Sequence, residues 1–147
     1  MSDDRVFVDS NVLVYSYDAD AGEKHATARS ILTDLWESRT GAVSTQVLQE
    51  FYVTVTRKVP KPLAKRAARA VVDTYRAWPV HRPEVDDVIA ASELEERHQL
   101  SFWDALIIVS AQRSGARTLL SEDLQDGRRI GELIIVNPFA PGASDLA

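Results

Sequence analysis

The sequence predicts a three-layer α/β/α domain with a mostly parallel central sheet, on two observations. Short apolar runs alternate with longer stretches of helical patterning, and the runs are continuously apolar rather than alternating in polarity. Alternation of this kind indicates right-handed βαβ crossovers, and a run such as Leu133 to Val136 (LIIV) suits a strand covered on both faces. A chain of 147 residues with 45% hydrophobic content is long enough for one full core and too short for two ordinary domains. Residues 1–147 are therefore read as one domain, with Pro138 to Ala147 as a loose tail.

Four runs read as strands: Val6 to Val8, Ala42 to Val43, Thr118 to Leu120 and Leu133 to Val136, with Pro79 to His81 a weaker fifth. The stretches between them predict helices over Asn11 to Ser16, Glu23 to Glu37, Thr45 to Arg57, Leu63 to Trp78, Glu84 to His98 and Phe102 to Ser114. Pro60 and Pro62 bracket a turn, and Gly115 closes a helix. No internal repeat, low-complexity tract or linker interrupts this order.

Composition narrows the chemistry. The absence of cysteine removes disulfides, thiolate metal sites and cysteine nucleophiles together. His25, His81 and His98 lie far apart, so the candidate metal is a hard cation held by oxygen. The opening MSDDRVFVDSN shows neither a signal peptide nor a membrane span, and a cytoplasmic protein is expected. A formal net charge of -5 argues against binding nucleic acid through bulk charge. A local basic lip is still available, because Arg57, Lys58, Lys61, Lys65, Arg66 and Arg69 fall within one short segment. Its ordinary reading is a solvated helix face.

Open parallel sheets bind ligands outside the carboxyl ends of their strands, which directs attention to the residues that follow each run. Asp9, Ser10 and Asn11 follow the first; Ser44 and Thr45 the second; Ser121, Glu122 and Asp123 the run at Leu119 and Leu120. Asp9 reads as a ligand or as a helix cap, and Ser10 or Asn11 is equally able to cap. Glu50 sits away from the apolar arc of Val47, Leu48, Phe51, Tyr52 and Val55, so periodicity leaves it a solvated glutamate or a strand-edge acid. Asp104 interrupts a helix that is apolar almost all round, although Ser101 three residues earlier also suits a capping box. Asp123 is preferred over Glu122 and the more peripheral Asp126, in a turn that also reads as nothing more than a turn. Carboxylates gathered at one edge repel unless a cation neutralises them, and Mg²⁺ or Mn²⁺ is the economical choice. Such a centre acidifies a bound water and steadies charge on phosphorus without a histidine base.

The stretches FVDSNVLVYSYD, STQVLQEFYVTVTRK, SFWDALIIVSAQRSGARTLLSEDLQDG and IIVNPF, in that order, make the sequence resemble PIN-domain ribonucleases, specifically VapC-type toxins of bacterial and archaeal toxin–antitoxin pairs. The resemblance implies that the four pocket acids fall on Asp9, Glu50, Asp104 and Asp123, with Asp9, Asp104 and Asp123 on the metal and Glu50 assisting. Ser10 stands where the family often has threonine. Asn11 and Ser121 match positions beside the pocket, and Asp126 falls where some relatives carry an additional acid. The same resemblance implies a Mg²⁺- or Mn²⁺-dependent endoribonuclease leaving a 5′ phosphate, a cognate antitoxin and a homodimer. It also offers the basic segment a use in holding the RNA backbone.

Other classes fit less well. A receiver-type signalling module needs a phosphorylatable aspartate after a middle strand and a late lysine, where this chain has Ser44 and Ser121. A serine nucleophile has no histidine placed to activate Ser10 or Ser44. The DxD arrangement of a common phosphatase class is absent, because Asp9 is followed by Ser10 and Asn11. A PIN-like module that binds RNA or a partner without cutting remains the principal alternative.

Overall fold

The computed structural model describes residues 4–141. Its sheet has the strand order β3-β2-β1-β4-β6-β5, with β1 at Val6–Val8, β2 at Gly41–Ser44, β3 at Val80–His81, β4 at Thr118–Leu120, β5 at Arg129–Ile130 and β6 at Leu133–Val136. Every pairing is parallel except β5 with β6. Among the described residues six α-helices flank it: α1 (Ser10–Tyr15), α2 (Glu23–Ser38), α3 (Thr45–Arg57), α4 (Lys65–Thr74), α5 (Val85–His98) and α6 (Phe102–Arg113). Right-handed crossovers explain the layers. The chain steps outward from β1 through β2 to β3 with α1 to α4 in one layer, then returns through the packed pair α5 and α6 to β4.

The core is the set of apolar side chains that these strands and helix faces point inward. Phe7, Val8, Val43, Leu119 and Ile135 from the strands meet Leu13, Val47, Phe51 and Val55 on one side and Ile108 on the other, all fully buried. Helix α6 is buried from Ala105 to Ala111, in line with its nearly all-round apolar sequence.

Two expectations need correction. The long helix expected over Leu63 to Trp78 is shorter, because Leu63 donates its N–H to the Val55 carbonyl at 2.9 Å instead of opening a helix, and Ala64 is extended. At the other end the backbone tightens into a 3₁₀ turn at Tyr75–Ala77, and Trp78 is extended ahead of Pro79, as a residue before proline prefers. The short β5 was not read from the sequence. The tail expected from Pro138 is held over its first residues: Ala140 donates to the Asn137 carbonyl at 3.3 Å, and the Phe139 ring meets Tyr15 edge-on at 5.0 Å. Residues 142–147 of that tail lie outside the described residues.

Trp78 packs at a tilt against Trp36 and edge-on against Tyr75, at centroid distances of 5.1 and 4.8 Å. The Trp78 ring lies so close to Gly41 that a Cβ at position 41 would fall inside it. Gly41→Ala is expected to destabilise the fold by about 1–3 kcal/mol, the usual cost of overpacking. Chemical denaturation checks this, and an unchanged midpoint would show that the aromatic cluster gives way freely.

Candidate active site at the carboxyl edge of the sheet

Strands β1 and β4 are neighbours in register, Val8 beside Leu120, and their outgoing connections leave in opposite directions. Such a switch point is where an open sheet leaves a crevice. Asp9 extends the ladder by donating its N–H to the Leu120 carbonyl at 2.9 Å, and Ser121 extends the next one by donating to the Val136 carbonyl at 3.0 Å. The first two residues beyond the strands are thereby held as rigidly as the strands themselves.

Asp9 is 5% exposed, and its carboxylate is surrounded by donors. The Ser10 N–H reaches Oδ1 at 2.7 Å, while the Ser121 hydroxyl and the Asn11 amide reach Oδ2 at 2.7 and 3.5 Å. Asp9 is also the N-cap of α1, so capping and site placement are one role here and neither Ser10 nor Asn11 takes the cap. The Asn11 amide donates as well to Asp123 Oδ2 at 3.2 Å, and its carbonyl oxygen accepts from the Glu122 N–H. Asp123 in turn donates its N–H to the Ser121 hydroxyl at 3.2 Å. Glu50 joins from α3: its Oε1 accepts from the Ser10 hydroxyl at 3.1 Å, and its Oε2 from the Gln46 amide at 3.1 Å.

Asp9, Glu50 and Asp123 are thus brought together, spaced by neutral donors. Asp104 is half-buried in the first turn of α6, where the Ser101 hydroxyl accepts from its N–H at 3.1 Å. Among the described residues its carboxylate accepts no hydrogen bond, so the reciprocal half of the capping box is not made. The neighbouring acids are committed elsewhere. Glu122 accepts from Tyr15 and Lys24, and Asp126 accepts from the Asn137 N–H at 2.8 Å. Burial by itself would raise the Glu122 carboxyl, but the Lys24 and Tyr15 donors hold it below its ordinary value. Neither the Tyr15–Lys24–Glu122 group nor Gln46 stood out in the sequence. Only Gln46's i,i+4 spacing to Glu50 offered a signal.

All six basic side chains are exposed, and all but Arg69 sit toward the end of the α3–α4 hairpin away from this edge. Helix α3 starts at the strand edge and runs away from it, which puts Arg57 two turns past Glu50, roughly 10 Å along the axis. Arg69 is nearer, lining an apolar groove of about 420 Å³ with Leu48, Tyr52, Val53 and Val72. The basic run flanks the acidic edge at a distance and does not line it.

The donor set is oxygen only, which fits a hard divalent cation. Among the described residues no three acidic or histidine side chains converge into a cage for an ion. Mg²⁺ does not require one, since it keeps several waters and binds through one or two carboxylates together with substrate phosphate. Among those residues there is also no helix long and apolar enough to cross a membrane.

Burial pushes the Asp9 carboxyl up to about 6, with Glu50 and Asp123 adding repulsion and the Ser121 and Ser10 donors opposing. A raised acid is stabilising only while protonated, so this contribution is complete below about pH 4 and is lost as pH rises through about 6. At neutral pH the buried charge costs the fold about 3 kcal/mol. Asp9→Asn, which keeps an acceptor for the Ser10 N–H and turns an amide donor toward the Ser121 hydroxyl oxygen, is expected to raise the stability of EDTA-treated protein at neutral pH by about 1–2 kcal/mol and to change it little near pH 4. Thermal melts across that range check the sign; a variant less stable than wild type at neutral pH would contradict it.

No curated protein matches the chain in sequence. Among solved structures it is similar to the VapC20 toxin of Mycobacterium tuberculosis, described as cleaving the sarcin–ricin loop, at 21% identity and a TM-score of 0.58, over 78% of this chain and 86% of that one. It is similar to a toxin–antitoxin complex from Klebsiella pneumoniae at 18% identity and a TM-score of 0.65, over 91% and 98% of the two chains. A third similarity is to VapBC2 of Rickettsia felis bound to a fragment of its promoter, at 21% identity and a TM-score of 0.61, over 88% and 96%. At these identities what is shared is the fold. Because the match to the PIN domain itself runs over residues 6–132, from the strand that leads into Asp9 to the turn before β6, the chain belongs to the PIN-domain family.

Proposed function

We propose that this PIN domain is a Mg²⁺- or Mn²⁺-dependent endoribonuclease acting as the toxin of a toxin–antitoxin pair. The observation that carries the reading is Asp9, a carboxylate buried at the β1–β4 switch point and held by Ser10, Asn11 and Ser121, with Asn11 also holding Asp123. A fold that accepts a desolvated charge beside two further acids favours a cation there. Asp9, Asp104 and Asp123 are the proposed ligands. When bound, the ion supplies Lewis acidity for a phosphoryl oxygen and a more acidic water. Glu50, fixed by Ser10 and Gln46, orients the attacking water, while Asn11 and Ser121 hold the carboxylate rotamers.

The similar solved structures support a partner in the same reading, since those from Klebsiella pneumoniae and Rickettsia felis are toxin–antitoxin assemblies. The cognate antitoxin is proposed to be a small protein encoded beside this chain, and co-purification of the adjacent gene product tests that. Homodimerisation belongs to the same reading and is supported by Val85, Val88 and Ile89, exposed together on α5. A PIN module that binds without cutting draws no specific observation in its favour.

Purified protein incubated with total cellular RNA is expected to cut in the presence of Mg²⁺ or Mn²⁺ and to be silent in EDTA. Asp9→Asn, Asp104→Asn and Asp123→Asn are each expected to lower the rate by about 100-fold or more, and Glu50→Gln by about 10–100-fold. Cleavage at full rate by Asp9→Asn or Asp104→Asn would sink the assignment. In the same assay, neutralising Lys61, Lys65 and Arg66 is expected to reduce the salt dependence of RNA affinity, with the log–log slope smaller by about 2. An unchanged slope would return the basic run to a plain solvated surface.

A further inference from the structure

Gln46 is 6% exposed, one turn before Glu50 on the same face of α3. Its Nε2 donates to two acceptors on different elements, Glu50 Oε2 at 3.1 Å and the Trp103 main-chain carbonyl at 3.3 Å. The amide orientation follows from those acceptors. Turned over, Oε1 would face a carboxylate and a carbonyl, neither of which can donate. In the orientation that remains, Oε1 is buried with no partner among the described residues. An orphaned acceptor is a standing cost. The arrangement that imposes it therefore has another use than filling the core, a task a leucine or methionine does without the cost.

Trp103 is the residue before Asp104, and no hydrogen bond among the described residues joins Asp104 to the other three acids. The Gln46 amide is thus a strut between the two helices that carry Glu50 and Asp104. We infer that Gln46 is a positioning residue, which sets the rotamer of Glu50 and the placement of the first turn of α6 so that Glu50 and Asp104 face one divalent ion and one scissile phosphate. This rests on the nuclease reading of the same pocket. Gln46 touches neither ion nor substrate and acts through the two acids.

Gln46→Met and Gln46→Leu remove the donor with little change in volume. Both are expected to melt at or above the wild-type temperature, since the orphaned acceptor leaves with the amide. Both are expected to bind Mn²⁺ about 10-fold more weakly by titration calorimetry and to show kcat lower by about 10–100-fold. KM for RNA should stay within about twofold of wild type. In a Glu50→Ala background, Gln46→Met should cost much less than it does alone. Wild-type Mn²⁺ affinity and kcat in both variants would overturn the inference while leaving the nuclease reading intact. A parallel fall in melting temperature in both would overturn it by making Gln46 a packing residue. A wild-type protein that neither binds Mn²⁺ nor cuts RNA would remove the nuclease reading, and the inference with it.

Discussion

The burial of one carboxylate, Asp9, is the constraint around which the rest of this structure is arranged. A charge taken out of water persists only if hydrogen-bond donors or a counter-charge replace the lost solvation. Here the donors come from the main chain of Ser10 and the side chains of Asn11 and Ser121, yet burial still lifts the carboxyl to about 6. Local donors therefore compensate the burial only in part. Placing the acid at the end of β1, with its N–H locked to Leu120, prevents it from escaping to solvent.

The same edge gathers the starts of helices α1, α3 and α6, capped by Asp9, Ser44 and Ser101. Helix N-termini carry partial positive charge and favour nearby anions. They ease the repulsion among Asp9, Glu50 and Asp123 without contributing a cationic side chain. The nearest lysine pairing is Lys24 with Glu122, which removes that acid from the shared group. A site built from acids, amides and hydroxyls keeps an excess of negative charge, which suits an ion that arrives together with a phosphate. Apart from Arg69, the basic run lies toward the far end of the α3–α4 hairpin, separated from that excess, so the two charges do not cancel in place.

Rigidity at the edge comes from packing elsewhere. The Trp36–Tyr75–Trp78 cluster presses on β2 at Gly41, and β2 delivers Ser44 and the first two turns of α3, where Gln46 and Glu50 lie. On the other layer, Asp87 at the start of α5 meets His81 of β3 and Arg113 at the end of α6 at 3.0 and 3.2 Å. This ties the return crossover to the sheet. Helix α6 is then held at both ends, by Asp87 at one and by Gln46 at the other.

The sequence by itself determined the layer architecture, the order of the main strands and the residue types at the carboxyl edge. A continuous apolar strand and an amphipathic helix leave periodic marks that do not depend on distant residues. The marks failed where the outcome was non-local. β5 is two residues long and exists only through its pairing with β6, and the start of α4 was decided by the bond from Leu63 to Val55. For the candidate site, Asp9 was legible by its place after a strand and Asp104 as an acid in an apolar helix, each with a capping role left open, whereas the helical arc around Glu50 carried no information about Ser10, forty residues away in the chain. The separate partners of Glu122, Asp123 and Asp126 were decided by Tyr15, Lys24, Asn11 and Asn137, and the contact from Gln46 to Trp103 by the meeting of two helices. Hydrogen bonds between residues far apart in sequence are set by how layers close, and that closure is a property of the folded chain alone.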